Sequence, residues 1–139
     1  MINYDYEIEF LLSNEELFSR WINNVITSES YVLGEINYTF CSDEYLHKIN
    51  VEYLDHDTLT DIITFDNSVS NTIYSDIVIS IERVKDNAKD FNVSFEDELM
   101  RVIIHGVLHL CGYKDKSDEE ALLMRSKENE KISMFHMEH

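Results

Sequence analysis

The spacing of the apolar residues constrains this chain more than any other feature. From Ile2 to Phe10, Tyr4, Tyr6, Ile8 and Phe10 alternate with Asp5, Glu7 and Glu9, the period of a strand with one buried face. Ser13-Asn14-Glu15-Glu16 then reads as a capping box, and Leu17, Phe18, Trp21, Ile22 and Val25 follow at helical spacing to about Thr27. Tyr31 to Cys41 returns to the strand pattern, with Gly34 as a bulge position. Ser42-Asp43-Glu44 opens a second helix with Tyr45, Leu46, Ile49 and Tyr53 on its apolar stripe, and Asp55 to Asp61 has no period and reads as a loop. Ile62 to Phe65 is a short apolar run of the kind buried on both faces, and Ile73 to Ile81 is the fourth strand. Glu82 to Asp90, Ser94 to about Cys111 and Ser117 to about Met134 read as helices, with Gly112 as a left-handed cap on the second of these.

The resulting order, β-α-β-α-β-β-α-α-α, predicts an α+β fold. It is a single small domain over residues 1–139, with one mixed sheet of about four strands packed with about five helices. The long helical connections require that some strands run parallel. With 139 residues and no internal repeat there is one core to build. Charge is lopsided, with 11 Lys and Arg against 28 Asp and Glu, a net −17. That balance excludes a domain that grips nucleic acid through a broad basic face, and a basic membrane-surface helix. No apolar run approaches the ~20 residues of a membrane span. The start, Met-Ile-Asn-Tyr-Asp-Tyr-Glu, lacks the basic and apolar regions of a signal peptide, and Cys41 and Cys111 make no disulfide framework. A cytoplasmic protein is expected.

The chemistry concentrates in His105-Gly106-Val107-Leu108-His109-Leu110-Cys111-Gly112-Tyr113-Lys114-Asp115. Histidines four apart on a helix project from one face, one turn apart. Gly112 ends the helix and can turn the chain so that Asp115 comes back toward the pair. Two imidazoles and a carboxylate with a fourth position open form a catalytic zinc set. Two imidazoles on an otherwise apolar helix need partners for their nitrogens, and either a shared metal or hydrogen bonds would provide them. The metalloprotease pattern His-Glu-x-x-His has the same ligand spacing, but Gly106 stands where its glutamate base would be.

His105-Gly106, His109-Leu110 and Gly112-Tyr113, so spaced, resemble the signature of the YbeY family, bacterial metal-dependent endoribonucleases of ribosomal RNA maturation. Ile49-Asn50-Val51-Glu52-Tyr53-Leu54, Asp57 and Thr60-Asp61-Ile62-Ile63-Thr64-Phe65 resemble further family segments, as does Ser75-Asp76-Ile77-Val78-Ile79-Ser80. The likeness in order and spacing runs over roughly residues 40–135. The resemblance implies a single-strand-specific endoribonuclease acting in 16S ribosomal RNA 3′ end maturation and ribosome quality control. It implies one Zn2+, or another divalent metal, at the end of a central helix. The ligands would be His105, His109 and Asp115, which would hold the catalytic water through the metal. In most of the family the third ligand is a histidine, and Asp115 takes that position here; His136 and His139 are the alternative third ligands. Leu54 stands where the family usually has an arginine, with Lys48 and His56 nearby as replacements. Asp61 and Asp76 lie where they could orient ligands or water.

The charge of −17 opposes unaided binding of a polyanion. Either the cations gather on one face, drawn from Lys48, Arg83, Lys85, Lys89, Arg101, Lys114 and Lys116, or a basic ribosomal protein partner delivers the RNA of the small subunit. Two competing readings are a non-enzymatic ribosome assembly factor stapled by structural zinc and a metal-dependent hydrolase of peptides.

Overall fold

The computed structural model describes residues 1–54 and 60–137. The expected α+β order holds: β1 (Ile2–Tyr6), α1 (Glu15–Ser28), β2 (Val32–Cys41), α2 (Asp43–Leu54), β3 (Ile62–Asp66), β4 (Thr72–Ser80), α3 (Ile81–Asp90), α4 (Phe95–Leu110) and α5 (Asp118–Met137). The sheet order is β1-β2-β4-β3. β1 runs parallel to β2 and β2 parallel to β4, while β3 returns antiparallel beside β4. The sheet is therefore mixed, as the long helical connections require.

One sheet face carries the main core. Ile36, Tyr38 and Phe40 of β2 and Ile73, Ile77 and Ile79 of β4 meet Trp21, Ile22 and Val25 of α1 and Ile103, Ile104 and Val107 of α4. Tyr4, Tyr38 and Phe40 stack in near-parallel planes, with centroids 5.7–6.4 Å apart. α5 closes the outer side, where Phe135 packs edge-on to Trp21 and the buried indole N–H donates to the Lys131 carbonyl at 2.7 Å. On the opposite face Leu46 of α2 meets Cys41, Ile63 and Val78, with Ile49 and Phe65 packed against them. Beyond α2 that face is polar, with an amide-carboxylate ladder from Asn3 to Asn37 to Asp76.

Three local expectations are corrected. β1 ends at Tyr6 rather than Phe10: it is an edge strand, its last bond to β2 is Glu7 N–H to the Phe40 carbonyl at 2.8 Å, and the chain then leaves the edge to reach α1. The N-cap of α1 is Asn14, whose Oδ1 accepts from Leu17 N–H at 3.1 Å, not Ser13. β3 has a helix on each face, α4 against Ile62 and Thr64 and α2 against Ile63, but it lies at the other edge and is less covered than expected: Ile63 alone of its residues is fully buried. The bulge expected at Gly34 is present, with the β2–β4 register shifting between Leu33 and Glu35. At the start of α5 a reciprocal capping box forms, Ser117 N–H donating to Glu120 Oε1 at 3.0 Å and Glu120 N–H to Ser117 Oγ at 3.1 Å.

Candidate metal centre

α4 is the central helix. Ser94 caps it, its side chain accepting from Asp97 N–H at 3.1 Å, and its residues are buried from Leu99 to Leu110 except Arg101, His105 and His109. Those three lie along one side of the helix at helical spacing, with Glu98 one turn before Arg101. Gly106 faces the sheet instead. A Cβ there would lie 2.9 Å from Ile62 Cδ1 and 3.2 Å from Thr64 Oγ1, so the glycine lets α4 settle against β3.

The helix ends in a Schellman motif: Tyr113 N–H donates to the Leu108 carbonyl and Gly112 N–H to the His109 carbonyl, both at 3.0 Å. Gly112 has φ +98°, a conformation that a side chain would strain. The reversal brings Asp115 back over the helix face. Tyr113 anchors the loop, its hydroxyl donating to Glu29 Oε1 at 2.6 Å, and Lys127 lies 5.6 Å over its ring.

Nε2 of His105 and Nε2 of His109 are 2.9 Å apart, and Asp115 Oδ2 lies 3.2 Å from the first and 3.4 Å from the second. Donors at 2.0–2.2 Å around a tetrahedral ion would be ~3.3–3.6 Å from one another, so these three are gathered a few tenths of an ångström tighter than an ion would hold them. The other ring nitrogens agree. His109 Nδ1 donates to the Tyr113 carbonyl at 2.9 Å, which can only accept, so the proton belongs on Nδ1. His105 Nδ1 meets Glu128 Oε2 at 2.7 Å. With both Nδ1 positions protonated, two imidazole lone pairs and a carboxylate oxygen converge on one point, an arrangement that calls for a cation. Among the described residues, the metal-type cluster consists of these three side chains.

Electrostatics reinforce the arrangement. Burial pushes the His105 pKa down, but the Glu128 carboxylate, with Asp115 and Asp61 near, outweighs it and raises the pKa above the usual histidine value. Burial pushes Glu128 up, and hydrogen bonds from His105 and Arg101 more than offset it, holding the carboxyl below its usual range. Arg101 Nη1 reaches Glu128 Oε1 at 2.9 Å and its Nη2 reaches Asn129 at 3.0 Å. Two cavities meet at the cluster, one of about 340 Å³ toward α3 and α5 and one of about 620 Å³ toward β3; His105, Asp115 and Asp61 line both.

The remaining sequence candidates fall elsewhere. His136 does not join the cluster, and His139, His56 and Asp57 lie outside the described residues. Leu54 and Lys48 are exposed on α2 and line neither cavity. Asp61 is beside the cluster, bonded by Asn87 at 3.3 Å, whereas Asp76 points to the open sheet face and pairs with Asn37 at 3.1 Å. Cys41 and Cys111 are free and buried, and burial pushes both thiols up to about 12. Of the cations proposed to gather, Arg83 is committed to Asp43 at 2.7 Å and Arg101 to Glu128. Sequence reasoning missed Glu128. It lies on α5, 23 residues from His105, and no local pattern marks it. Arg101, one helical turn before His105, could have been found by spacing.

The family described as Endoribonuclease YbeY matches residues 3–136. The chain is 69% identical to an Endoribonuclease YbeY of Flavobacterium johnsoniae over 99% of both proteins. It is 59% identical to that of Flavobacterium psychrophilum, over 99% of this chain and 98% of the relative. The solution structure of TM1509 from Thermotoga maritima is similar over 99% of this chain and 91% of that one, with 26% identity and a TM-score of 0.69. A match over nearly the whole length, the same fold, and a two-histidine cluster on the central helix agree, and the chain belongs to the YbeY endoribonuclease family.

Proposed function

We propose that the chain holds one zinc, or another divalent cation in its place, through His105, His109 and Asp115, and cleaves single-stranded RNA in ribosomal RNA maturation and ribosome quality control. The observation that carries this reading is the convergence of three donor atoms, 2.9–3.4 Å apart, with both histidine Nδ1 positions already engaged. When bound, the metal supplies Lewis acidity to a phosphodiester and to water. The protein's part is orientation. Glu128 holds a proton on His105 Nδ1, the Tyr113 carbonyl holds one on His109 Nδ1, and the Schellman turn aims Asp115 at both. Cavities of about 340 and 620 Å³ beside the cluster leave room for an unstacked base, the form in which single-stranded RNA is read.

The substrate is the RNA of the small ribosomal subunit. The net charge of −17 favours a basic ribosomal protein as the partner that presents it. Two observations count against the other readings: a structural zinc would be closed by a fourth protein ligand, and the cluster among the described residues has three; a peptidase would need a base at position 106, where Gly106 has no side chain.

The test is elemental analysis with thermal melts on the wild type, His109→Ala and Asp115→Ala, followed by cleavage of single-stranded and duplex RNA. One metal per wild-type chain, lost in both folded variants together with cleavage, is the expected result. Metal retained in Asp115→Ala would overturn the ligand assignment, and chelation that unfolds the protein would favour the structural zinc.

A further inference from the structure

The 340 Å³ cavity beside the cluster contains more than the metal chemistry uses. Glu98 is 4% exposed, its carboxyl faces the cavity, and it makes no hydrogen bond among the described residues. Its oxygens are not among the buried atoms left without a partner, so they open into the cavity, where the donors of a bound molecule can reach them. Asp61 lines the same wall, with Asn87 bonded to it. At the rim Phe91 is 58% exposed, an aromatic face open to solvent where α3 ends. Arg125 is also there, its side chain 56% exposed and, among the described residues, held by a 3.8 Å contact to Glu128. Glu98 precedes His105 by seven residues on α4, about 10.5 Å along a helix, which is comparable to the span of one nucleotide from its phosphate to its base edge.

We propose that this cavity is a nucleotide subsite next to the metal centre. It stacks one base on Phe91, takes the adjoining phosphate at Arg125 and favours guanine through the carboxyls of Glu98 and Asp61. A guanine edge presents adjacent N1–H and N2–H donors, which match the two oxygens of a carboxylate. Stacking on an aromatic tolerates any base, so Phe91 supplies affinity and the carboxyl wall supplies preference. Arg125 supplies a cation beside the cluster where the chain carries Leu54 at the family's arginine position.

The subsite rests on RNA being the substrate. The probes are fluorescein-labelled single-stranded RNA heptamers of uridine with a central A, C, G or U, with binding read by anisotropy and cleavage by KM and kcat. In wild type the G heptamer should bind best. Phe91→Ala should raise Kd and KM about tenfold or more with kcat little changed, and Phe91→Trp should restore them. Arg125→Gln should reduce the slope of log affinity against log salt by about 0.7, the contribution of one single-strand phosphate contact. Glu98→Gln should remove the preference for G without removing stacking. Equal affinity for all four heptamers overturns the guanine assignment. A wild type that cleaves RNA while Phe91→Ala and Arg125→Gln match it in KM and salt slope overturns the subsite but leaves the ribonuclease standing. A wild type that neither binds nor cleaves any heptamer overturns both.

Discussion

Glu128 is the residue through which the centre can be perturbed without touching a ligand. Its carboxylate is 5% exposed, accepts from His105 Nδ1 at 2.7 Å and from Arg101 Nη1 at 2.9 Å, and has Arg125 further off at 3.8 Å. Glu128→Gln keeps the shape and one acceptor oxygen. The second oxygen becomes an NH2 facing a donor, and the charge that favours His105 Nδ1–H disappears. A charge-assisted hydrogen bond contributes about 1.5–3 kcal/mol, and breaking a fully buried pair costs up to about 5 kcal/mol. The lower range applies here, because the stranded Arg101 is 23% exposed and keeps its bond to Asn129. The metal-free variant should therefore be less stable by about 2 kcal/mol, a fall in Tm of roughly 6–8 °C at this chain length.

Metal affinity responds separately. Loss of a group that orients a metal-binding histidine costs 10–100-fold, or about 1.4–2.7 kcal/mol. Zinc competition against a chromophoric chelator reads this directly, and denaturant melts of the metal-free protein read the stability term. Zinc affinity within twofold of wild type would refute the argument that Glu128 fixes the tautomer and direction of His105. A fall in stability alone would make Glu128 a structural anchor for α5 and nothing more.

Asn14→Ala should cost about 1 kcal/mol in urea melts while Ser13→Ala stays within about 0.5 kcal/mol, because only Asn14 caps α1. Gly34→Ala should destabilise by about 1–3 kcal/mol, since a Cβ there would sit 2.7 Å from the Ile73 carbonyl oxygen and from the Tyr74 ring; an unchanged midpoint would show that the bulge can relax. Burial pushes Glu29 up, but hydrogen bonds from Lys131 and Tyr113 outweigh it and hold its folded pKa below the usual 4.5. A depressed carboxyl stabilises the fold above its unfolded pKa and loses that contribution as pH falls through its folded value, so Glu29→Gln should flatten the decline of stability below about pH 4.5. A decline as steep as in wild type would mean that the Glu29 cluster does not couple folding to protons.

The elements that sequence periodicity identified are those whose burial is decided by one face. α4 reads correctly because its apolar residues and Ser94 cap are local signals, and the α5 start reads correctly because Ser117 and Glu120 satisfy each other. The misreadings arise where tertiary position decides. β1 and β3 have strand-like patterns longer or more apolar than their edge places allow, and Ser13 and Asn14 are both good caps until the chain's entry angle selects one. At the centre, the cluster of His105, His109 and Asp115 was legible because helix pitch and a glycine turn lie within eleven residues. Glu128 was not, because its partner is a helix away, and α5 has no apolar stripe to announce which face is buried.

The acidity of the chain and its attachment to RNA are reconciled by distance. At physiological ionic strength charges more than about 8 Å apart are largely screened, so a net charge of −17 acts mainly on the rate and salt dependence of encounter. What a bound strand meets is local. The two cavity walls carry Arg101, Arg125 and Lys116 beside a three-donor cluster suited to a divalent cation. Arg101 is paired with Glu128, which leaves Arg125, Lys116 and, when bound, a metal ion as the positive charges open to phosphate. Such a site holds a strand that has already arrived and does little to attract one. Removing the metal should therefore weaken RNA binding by more than any single cation substitution, and raising salt should slow association more than it speeds release. A basic partner that covers the acidic surface should raise the association rate and leave the bound geometry unchanged.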